Sequence, residues 1–361
     1  MIKVLAWPMG KESDLNPYVR LMYVKFKPPR VEISTFKPTR VPSKAPDIFH
    51  IQWPEAIFEG RGGGIPLIAA WKARCVLRTA ALTHKNGGRV VLTVHNLAPH
   101  AALSGWRKTL WAYFSRALFK QIDHLVGLSP ESIEELGTKS PALRFVNASI
   151  IQHPHYRSVY TALPHTDARQ VAGFPPSERL IGMLGTVRPS KLVPEAVAAF
   201  RQAEGAGMLI VCGESDDVTW SRARAAADGA SNVLLRRGAL SVADLSVAMS
   251  AVSAVLINQT GTLNSGTALL ALSMGRPVIA PAVGSLRSLE RLVGKDWVRL
   301  FEPPLTGSSL LDAVRDLPAI DGPSAPDLAA FDPEALSEQL LALFERLAAR
   351  QTLQKPSASQ G

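Results

Sequence analysis

Past residue 180, short apolar runs alternate with stretches whose apolar positions recur every three or four residues. The runs at 180–184 (LIGML), 208–212 (MLIVC), 232–235 (NVLL), 254–257 (AVLI), 277–280 (PVIA) and 297–301 (WVRLF) predict strands. Between them, 193–202, 217–228, 242–250, 267–274 and a weaker segment at 286–292 predict helices. Strands apolar on both faces, each followed by a helix, belong to a parallel sheet covered on two sides. The first half repeats the rhythm less cleanly, with strands at 3–7, 31–34, 48–51, 90–94, 124–127 and 148–151 and helices at 65–82, 106–119 and 130–136. The chain therefore reads as α/β, with two Rossmann-like doubly wound domains over 1–155 and 156–332. They are expected to face a central cleft, because such sheets bind ligands beside the carboxyl ends of their strands. A last amphipathic helix is expected at 333–350 and a flexible tail at 351–361.

Composition agrees with this division. A chain of 361 residues exceeds one ordinary core, and 47% hydrophobic with 19% charged residues excludes a disordered chain. No apolar run reaches the roughly eighteen residues of a membrane span, and MIKVLAWP is too short and strand-like for a signal peptide. Cys75 and Cys212 lie far apart in apolar stretches, which predicts neither a disulfide nor a metal site and makes the cytoplasm the expected compartment. Charge adds more. Residues 1–155 carry 21 Lys and Arg against 10 Asp and Glu, whereas 156–361 carry 19 against 20. A basic first half suggests an anionic partner: nucleic acid, an acidic substrate or a membrane surface. The aromatic residues are not set out as a stacking platform, so nucleic acid is not expected.

Parallel sheets bind anions where a strand turns into a helix, because unpaired amides and the helix dipole both attract negative charge. Two turns fit. In the first, Gly185 ends a strand and Arg188 and Lys191 follow; in the second, Asn264, Ser265, Gly266 and Thr267 open a helix. Together they suit a diphosphate leaving group, although Ser265 also reads as a plain N-cap. In the first half, HIQWPE and TVHNLAPH place polar groups directly after strands. Glu55, in apolar and aromatic surroundings, is a candidate general base, and His95 can bond a sugar hydroxyl or a diphosphate oxygen. His153, His155, Tyr156 and Arg157 crowd the junction of the halves; no third ligand accompanies the two imidazoles, so no metal is expected there. From Leu103 to Ile122, apolar residues at helical spacing, Tyr113 among them, alternate with Arg107, Lys108, Arg116 and Lys120 and no acid. That pattern matches a helix lying on an anionic membrane, or a core-facing helix with a basic outer side. No phosphate-cradling Gly-x-x-x-x-Gly-Lys loop and no Gly-x-Gly-x-x-Gly after the first strand occur, which disfavours an ATPase and a dinucleotide oxidoreductase.

Taken in order, Asn16-Pro-Tyr18, HIQWPE, TVHNLAPH followed by Gly105-Trp-Arg, HPHYR, Arg188-Pro-Ser-Lys191 and NSGTALLALSMGRPVIAP resemble the bacterial GT-B glycosyltransferases of exopolysaccharide assembly. The likeness runs through most of residues 1–325, and the set is specific where each motif alone is weak. It implies a two-domain, metal-independent hexosyltransferase with a nucleotide-sugar co-substrate, GDP-mannose first. The second domain would bind that donor, and the basic first domain a polyprenyl-diphosphate-linked oligosaccharide at the inner face of the cell membrane. The last helix would cross back to the first domain. By the same likeness Arg188 and Lys191 hold the diphosphate, Ser265, Gly266 and Thr267 cap it, and the turn at Gly238, Ala239 and Leu240 meets the base. His95 would touch the donor sugar, with Asn16, Trp53 and His100 on the acceptor side.

The chain departs from the pattern in places. Retaining relatives carry two glutamates eight positions apart, and here Thr262 and Leu270 stand there. That favours an inverting reaction whose base comes from elsewhere, Glu55 being the candidate. RPSK lacks the aromatic residue that often precedes the lysine, and HPHYR lacks a glycine between its histidines; donor selectivity is what these changes touch. A non-catalytic nucleotide-sugar or glycan-binding partner of a synthase complex, or a transferase for another nucleotide sugar, are the competing readings.

Overall fold

A computed structural model describes residues 1–9, 17–58, 65–96, 103–175, 179–259, 265–318, 320 and 324–354. The chain forms two compact units, 1–154 with 331–361, and 155–330. The first holds a six-stranded parallel sheet of β1 (Ile2–Trp7), β2 (Val31–Thr35), β3 (Ile48–Ile51), β4 (Arg89–Val94), β5 (His124–Gly127) and β6 (Asn147–Ile150), in the order β2-β1-β3-β4-β5-β6. Its helices are α1 (Pro17–Met22), α2 (Pro66–Lys85), α3 (Gly105–Phe119) and α4 (Pro130–Lys139). Strands β3 and β5 are buried along their whole length, as continuous apolar runs require, while the edge strand β6 is mostly exposed.

The second unit begins with α5 (His165–Ala172) and continues as β7 (Leu180–Leu184), α6 (Val193–Gln202), β8 (Met208–Gly213), α7 (Asp217–Ala227), β9 (Val233–Arg237) and α8 (Val242–Ala251). Then come β10 (Ala254–Leu256), α9 (Gly266–Ser273), β11 (Val278–Pro281), α10 (Ser285–Val293), β12 (Val298–Phe301) and α11 (Gly307–Val314). All six strands are parallel, in the order β12-β11-β10-β7-β8-β9. Strand order reverses between β1 and β3 in the first sheet and between β7 and β10 in the second, and ligands of open α/β sheets bind beside such reversals.

The last helix, α12 (Pro333–Gln354), belongs to the first unit. Leu336, Leu340, Leu341, Leu343, Phe344 and Leu347 recur at helical spacing and join one core with Tyr18, Val19, Met22 and Phe26 and with Val4, Val31, Ile48 and Val126 of the sheet. At its rim Arg30 bonds Glu338 at 2.8 Å and Glu345 at 2.9 Å, and Lys25 bonds Glu334 at 2.6 Å. These pairs are exposed, so the apolar face holds the helix and the charges set its register.

Three helices escape the periodicity reading. With six residues, α1 is too short to show a period; α5 buries only Ala168, and α11 is rich in small residues. Within α3 the expected apolar face is narrower than its sequence spacing implies. Phe114 and Leu118 are buried, whereas Tyr113 points outward, 70% exposed.

Candidate active site

In the first unit the polar groups gather where β1, β3 and β4 end. The backbone amide of Gln52, just past β3, donates to Trp7 O at 2.8 Å, which fastens the two strand ends together. A buried chain of hydrogen bonds runs out from there. Gln52 Nε2 donates to Tyr23 Oη at 3.0 Å, so the single Tyr23 proton goes to His50 Nδ1, 2.6 Å away. His50 then carries its proton on Nε2 and donates it to Thr93 Oγ1 at 2.7 Å. Burial pushes the His50 pKa down to about 3, which keeps the ring neutral. The remaining Gln52 oxygen accepts from His95 Nε2 at 3.3 Å, so neutral His95 has its basic lone pair on Nδ1.

The His95 ring is also held by its faces. Trp53 stacks on it at 4.0 Å with the planes 18° apart, and Tyr18 meets it edge-on at 4.6 Å. Glu55, buried in the short 3₁₀ turn Pro54–Ile57, accepts from Asn96 Nδ2 at 2.8 Å. Glu55, Asn96 and His95 line one cavity of about 20 Å³, room for a single water or hydroxyl. The structure thus brings Glu55, His95 and Trp53 into one neighbourhood. Asn16 and His100 lie outside the described residues. Sequence reasoning missed Tyr23 and gave no role to His50, Gln52 or Thr93, although HIQWPE and TVHNLAPH contain them.

In the second unit, the turns after β7 and β8 lie backbone against backbone. A Cβ at Gly213 would stand 2.0 Å from Gly185 O, so this approach requires glycine. Gly185 itself sits at φ +83°. After it, Arg188 is exposed, but Lys191 does not simply project beside it. Its Nζ turns back to donate to Leu184 O at 2.8 Å, at the carboxyl end of β7. Burial first, and the nearby Arg188 charge second, lower the Lys191 pKa to about 8. Of the two cations that follow Gly185, Arg188 is thus exposed at the surface, whereas Lys191 is partly desolvated and tied to the strand end.

From the adjacent strand β10, Asn258 Nδ2 donates to Leu192 O at 3.0 Å, which joins the two strand exits that flank the reversal. Ser265 is the N-cap of α9, its Oγ accepting from Ala268 N at 3.2 Å, with Gly266 and Thr267 in the first turn. Asn264 and Thr262 lie outside the described residues, and Leu270 is buried in α9. Gly238, Ala239 and Leu240 line a separate cavity of about 260 Å³ together with Phe174 and Arg236. The Arg236 guanidinium covers the Phe174 ring at 4.8 Å and donates to the carbonyls of Ala172 and Gly173. This wall had no counterpart in the sequence reading.

The junction residues are shared between the two units. His153 lies in the first unit, against Tyr18 at 4.9 Å, and loss of hydration holds its pKa down to about 4. His155 Nδ1 accepts from Arg157 N at 3.4 Å, Tyr156 N donates to Ser273 Oγ at 2.8 Å, and the Arg157 guanidinium donates to Pro326 O at 2.8 Å, all within the second unit. Among the described residues no three His, Cys, Asp or Glu side chains come together as a metal site.

No protein-family model matches the chain. Two curated relatives from Xanthomonas campestris, both GDP-mannose:glycolipid 4-beta-D-mannosyltransferases, are 30% identical to it over 338 and 341 residues, 92% of this chain and 88% of theirs. Among solved structures, sucrose-phosphate synthase from Thermosynechococcus elongatus superposes with a TM-score of 0.63 at 16% identity, covering 97% of this chain and all of the other. Anabaena HepE in complex with UDP gives 0.60 at 13% identity, covering 98% and 99%. AviGT4, a glycosyltransferase involved in avilamycin A biosynthesis, gives 0.57 at 14%, covering 97% and 99%. These three likenesses show the fold, which is GT-B. With two parallel sheets of that fold and 30% identity along nearly its whole length, the chain belongs to the family of the GDP-mannose:glycolipid 4-beta-D-mannosyltransferases and is a glycosyltransferase.

Proposed function

We propose that the protein transfers mannose from GDP-mannose to a polyprenyl-diphosphate-linked oligosaccharide in exopolysaccharide synthesis, with inversion, as a peripheral protein of the inner face of the cell membrane. The observation that carries this reading is the 30% identity over 92% of the chain to enzymes named for that donor and a glycolipid acceptor. The geometry supports it. Arg188, Lys191 and the first turn of α9 leave the neighbouring strands β7 and β10, where a diphosphate would meet two cations and several amides. The turn at Gly238, Ala239 and Leu240 would meet the base.

In the reaction so read, Glu55 takes the proton of an acceptor hydroxyl as its oxygen attacks the anomeric carbon. The bond from that carbon to the diphosphate breaks, and GDP departs with the electron pair. Charge on the departing diphosphate is assigned to Arg188 and Lys191, so no metal is required and turnover should survive EDTA. The test is release of GDP from GDP-mannose by the purified protein with a detergent-solubilised lipid-linked glycan, with the anomeric outcome read by NMR. Equal or better turnover with UDP-glucose would overturn the donor, and an α-linked product the inversion.

Two further expectations follow. Because Lys191 loses its proton near pH 8, affinity for GDP should fall as pH rises through that value, and binding near pH 8 should take up protons as the diphosphate restores the charge. Calorimetry in buffers of different ionisation heat reads both, and Lys191→Ala should remove the pH dependence together with most of the affinity. Gln52→Leu leaves His95 without its acceptor at Nε2. Transfer should then drop by about 5- to 10-fold, the effect of the lost bond to His95, with the donation to Tyr23 Oη lost beside it and GDP affinity unchanged.

A further inference from the structure

One apolar patch of the first unit serves neither its core nor the polar groups at its strand ends. At the start of α2, Ile65, Leu67, Ile68 and Trp71 are 58%, 79%, 47% and 52% exposed. The same helix buries Ala69, Ala73, Cys75, Val76 and Ala80. Its small residues thus face inward and its largest apolar residues outward, the reverse of an ordinary surface helix. Helical spacing lines up Leu67, Trp71, Arg74 and Arg78 on one exposed stripe, apolar at the N-terminal end and cationic beyond it.

The surroundings are basic. Trp71 Nε1 donates to Thr39 O at 3.0 Å, which ties α2 to a loop whose Lys37, Arg40 and Lys44 are exposed and, with Lys3 and a single acid, Glu32, line a cavity of about 590 Å³. Helix α3 packs against α2 and adds outward-facing Tyr113 and the cations Arg107, Lys108, Arg116 and Lys120. Residues 60–122 contain ten Lys or Arg and no Asp or Glu. A partner for this face must take in aliphatic and indole side chains and present negative charge around them. Nucleic acid supplies the charge but no apolar layer for leucine and isoleucine, whereas an anionic bilayer supplies both.

We propose that the N-terminal end of α2 inserts into an anionic lipid bilayer through Ile65, Leu67, Ile68 and Trp71, with the basic loop and α3 held against the headgroups. The insertion element is then α2, and α3 contributes charge. The proposal rests on the reading of the acceptor as a lipid-linked glycan.

The test is flotation of the full-length protein with protein-free vesicles of phosphatidylcholine, with and without phosphatidylglycerol, in the absence of donor and acceptor. Wild type should float with phosphatidylglycerol vesicles and be released by salt. Leu67→Asp with Ile68→Asp should weaken binding about ten-fold or more, and Tyr113→Asp by much less. Leu67 is largely and Ile68 about half exposed, so a melting temperature close to that of wild type is expected and checks folding. Unchanged flotation of the double variant, or loss confined to Tyr113→Asp, would overturn the proposal. So would sedimentation showing that the double variant only turns a dimer into a monomer, since the patch would then bind a second copy. Transfer to the detergent-solubilised acceptor is measured separately. If it fails while flotation follows the expected pattern, the catalytic reading falls; if it succeeds while flotation does not, the insertion surface falls.

Discussion

Glu55→Gln should lower transfer by at least about 100-fold while donor affinity and melting temperature stay where they are. The substitution keeps the shape of the side chain, and the new amide oxygen can still accept from Asn96 Nδ2. What it removes is the carboxylate's ability to take a proton. Glu55 lines a cavity with room for one hydroxyl or one water, and a base must lie within hydrogen-bond reach of the proton it takes, directly or through one water. Full turnover by the Glu55→Gln enzyme would show that the base lies elsewhere. His95, whose Nδ1 carries the lone pair when the ring is neutral, would be the next group to change.

The second large effect concerns the last helix. Phe344→Ala should destabilise the protein by about 3 to 5 kcal/mol, read from denaturant or thermal unfolding. The ring is fully buried, and it touches Phe26 at 5.7 Å and His50 at 5.1 Å between centroids. Removing it leaves a cavity beside the buried Tyr23–His50 chain, so loss of stability should be accompanied by some loss of activity. By contrast, Arg30→Ala breaks exposed pairs alone and should cost less than about 1 kcal/mol. A Phe344→Ala protein as stable as wild type would mean that α12 is not integral to the first unit.

All twelve strands among the described residues could be read from the chain because strands inside a two-sided α/β layer are continuous apolar runs, a signal independent of what surrounds them. The edge strands were the ragged cases: β9 begins at Val233 and runs on to Arg237, where exposure permits two arginines. Helix α2 shows the limit of periodicity. Its apolar residues occupy most of its circumference, and nothing local says that Ala73 and Cys75 face inward while Leu67 and Trp71 face out. That is why the sequence drew attention to α3, whose aromatic and basic alternation is plainer.

The site was legible only in part, for a related reason. Lys191 and Ser265 lie at the entrances of helices that follow neighbouring parallel strands, so their neighbourhood follows from topology. The direction of the Lys191 side chain, back to Leu184 O past Gly185, is set by the folded turn and has no counterpart in residue order. Tyr23 and His50 are 27 positions apart, and His50 and Thr93 are 43 apart. Hydrogen bonds across such separations leave no local pattern. The carboxyl end of β3 could be recognised as polar, but not the chain of bonds that fixes which nitrogen of His95 holds its proton.

The division of the first unit between 1–154 and 331–361 has a consequence for how the protein is made. A ribosome delivers β1 to β6 first, then the entire second unit, and α12 only afterwards. Until then Val4, Val31, Ile48 and Val126 have only Tyr18, Val19, Met22 and Phe26 against them and lack the helix that completes their core, whereas the second unit, continuous in sequence, can close as soon as it emerges. The two units therefore mature in the opposite order to their synthesis. A nascent chain stalled anywhere before Phe331 exposes the sticky face of an unfinished sheet, and chaperone occupancy during translation should be concentrated on that face.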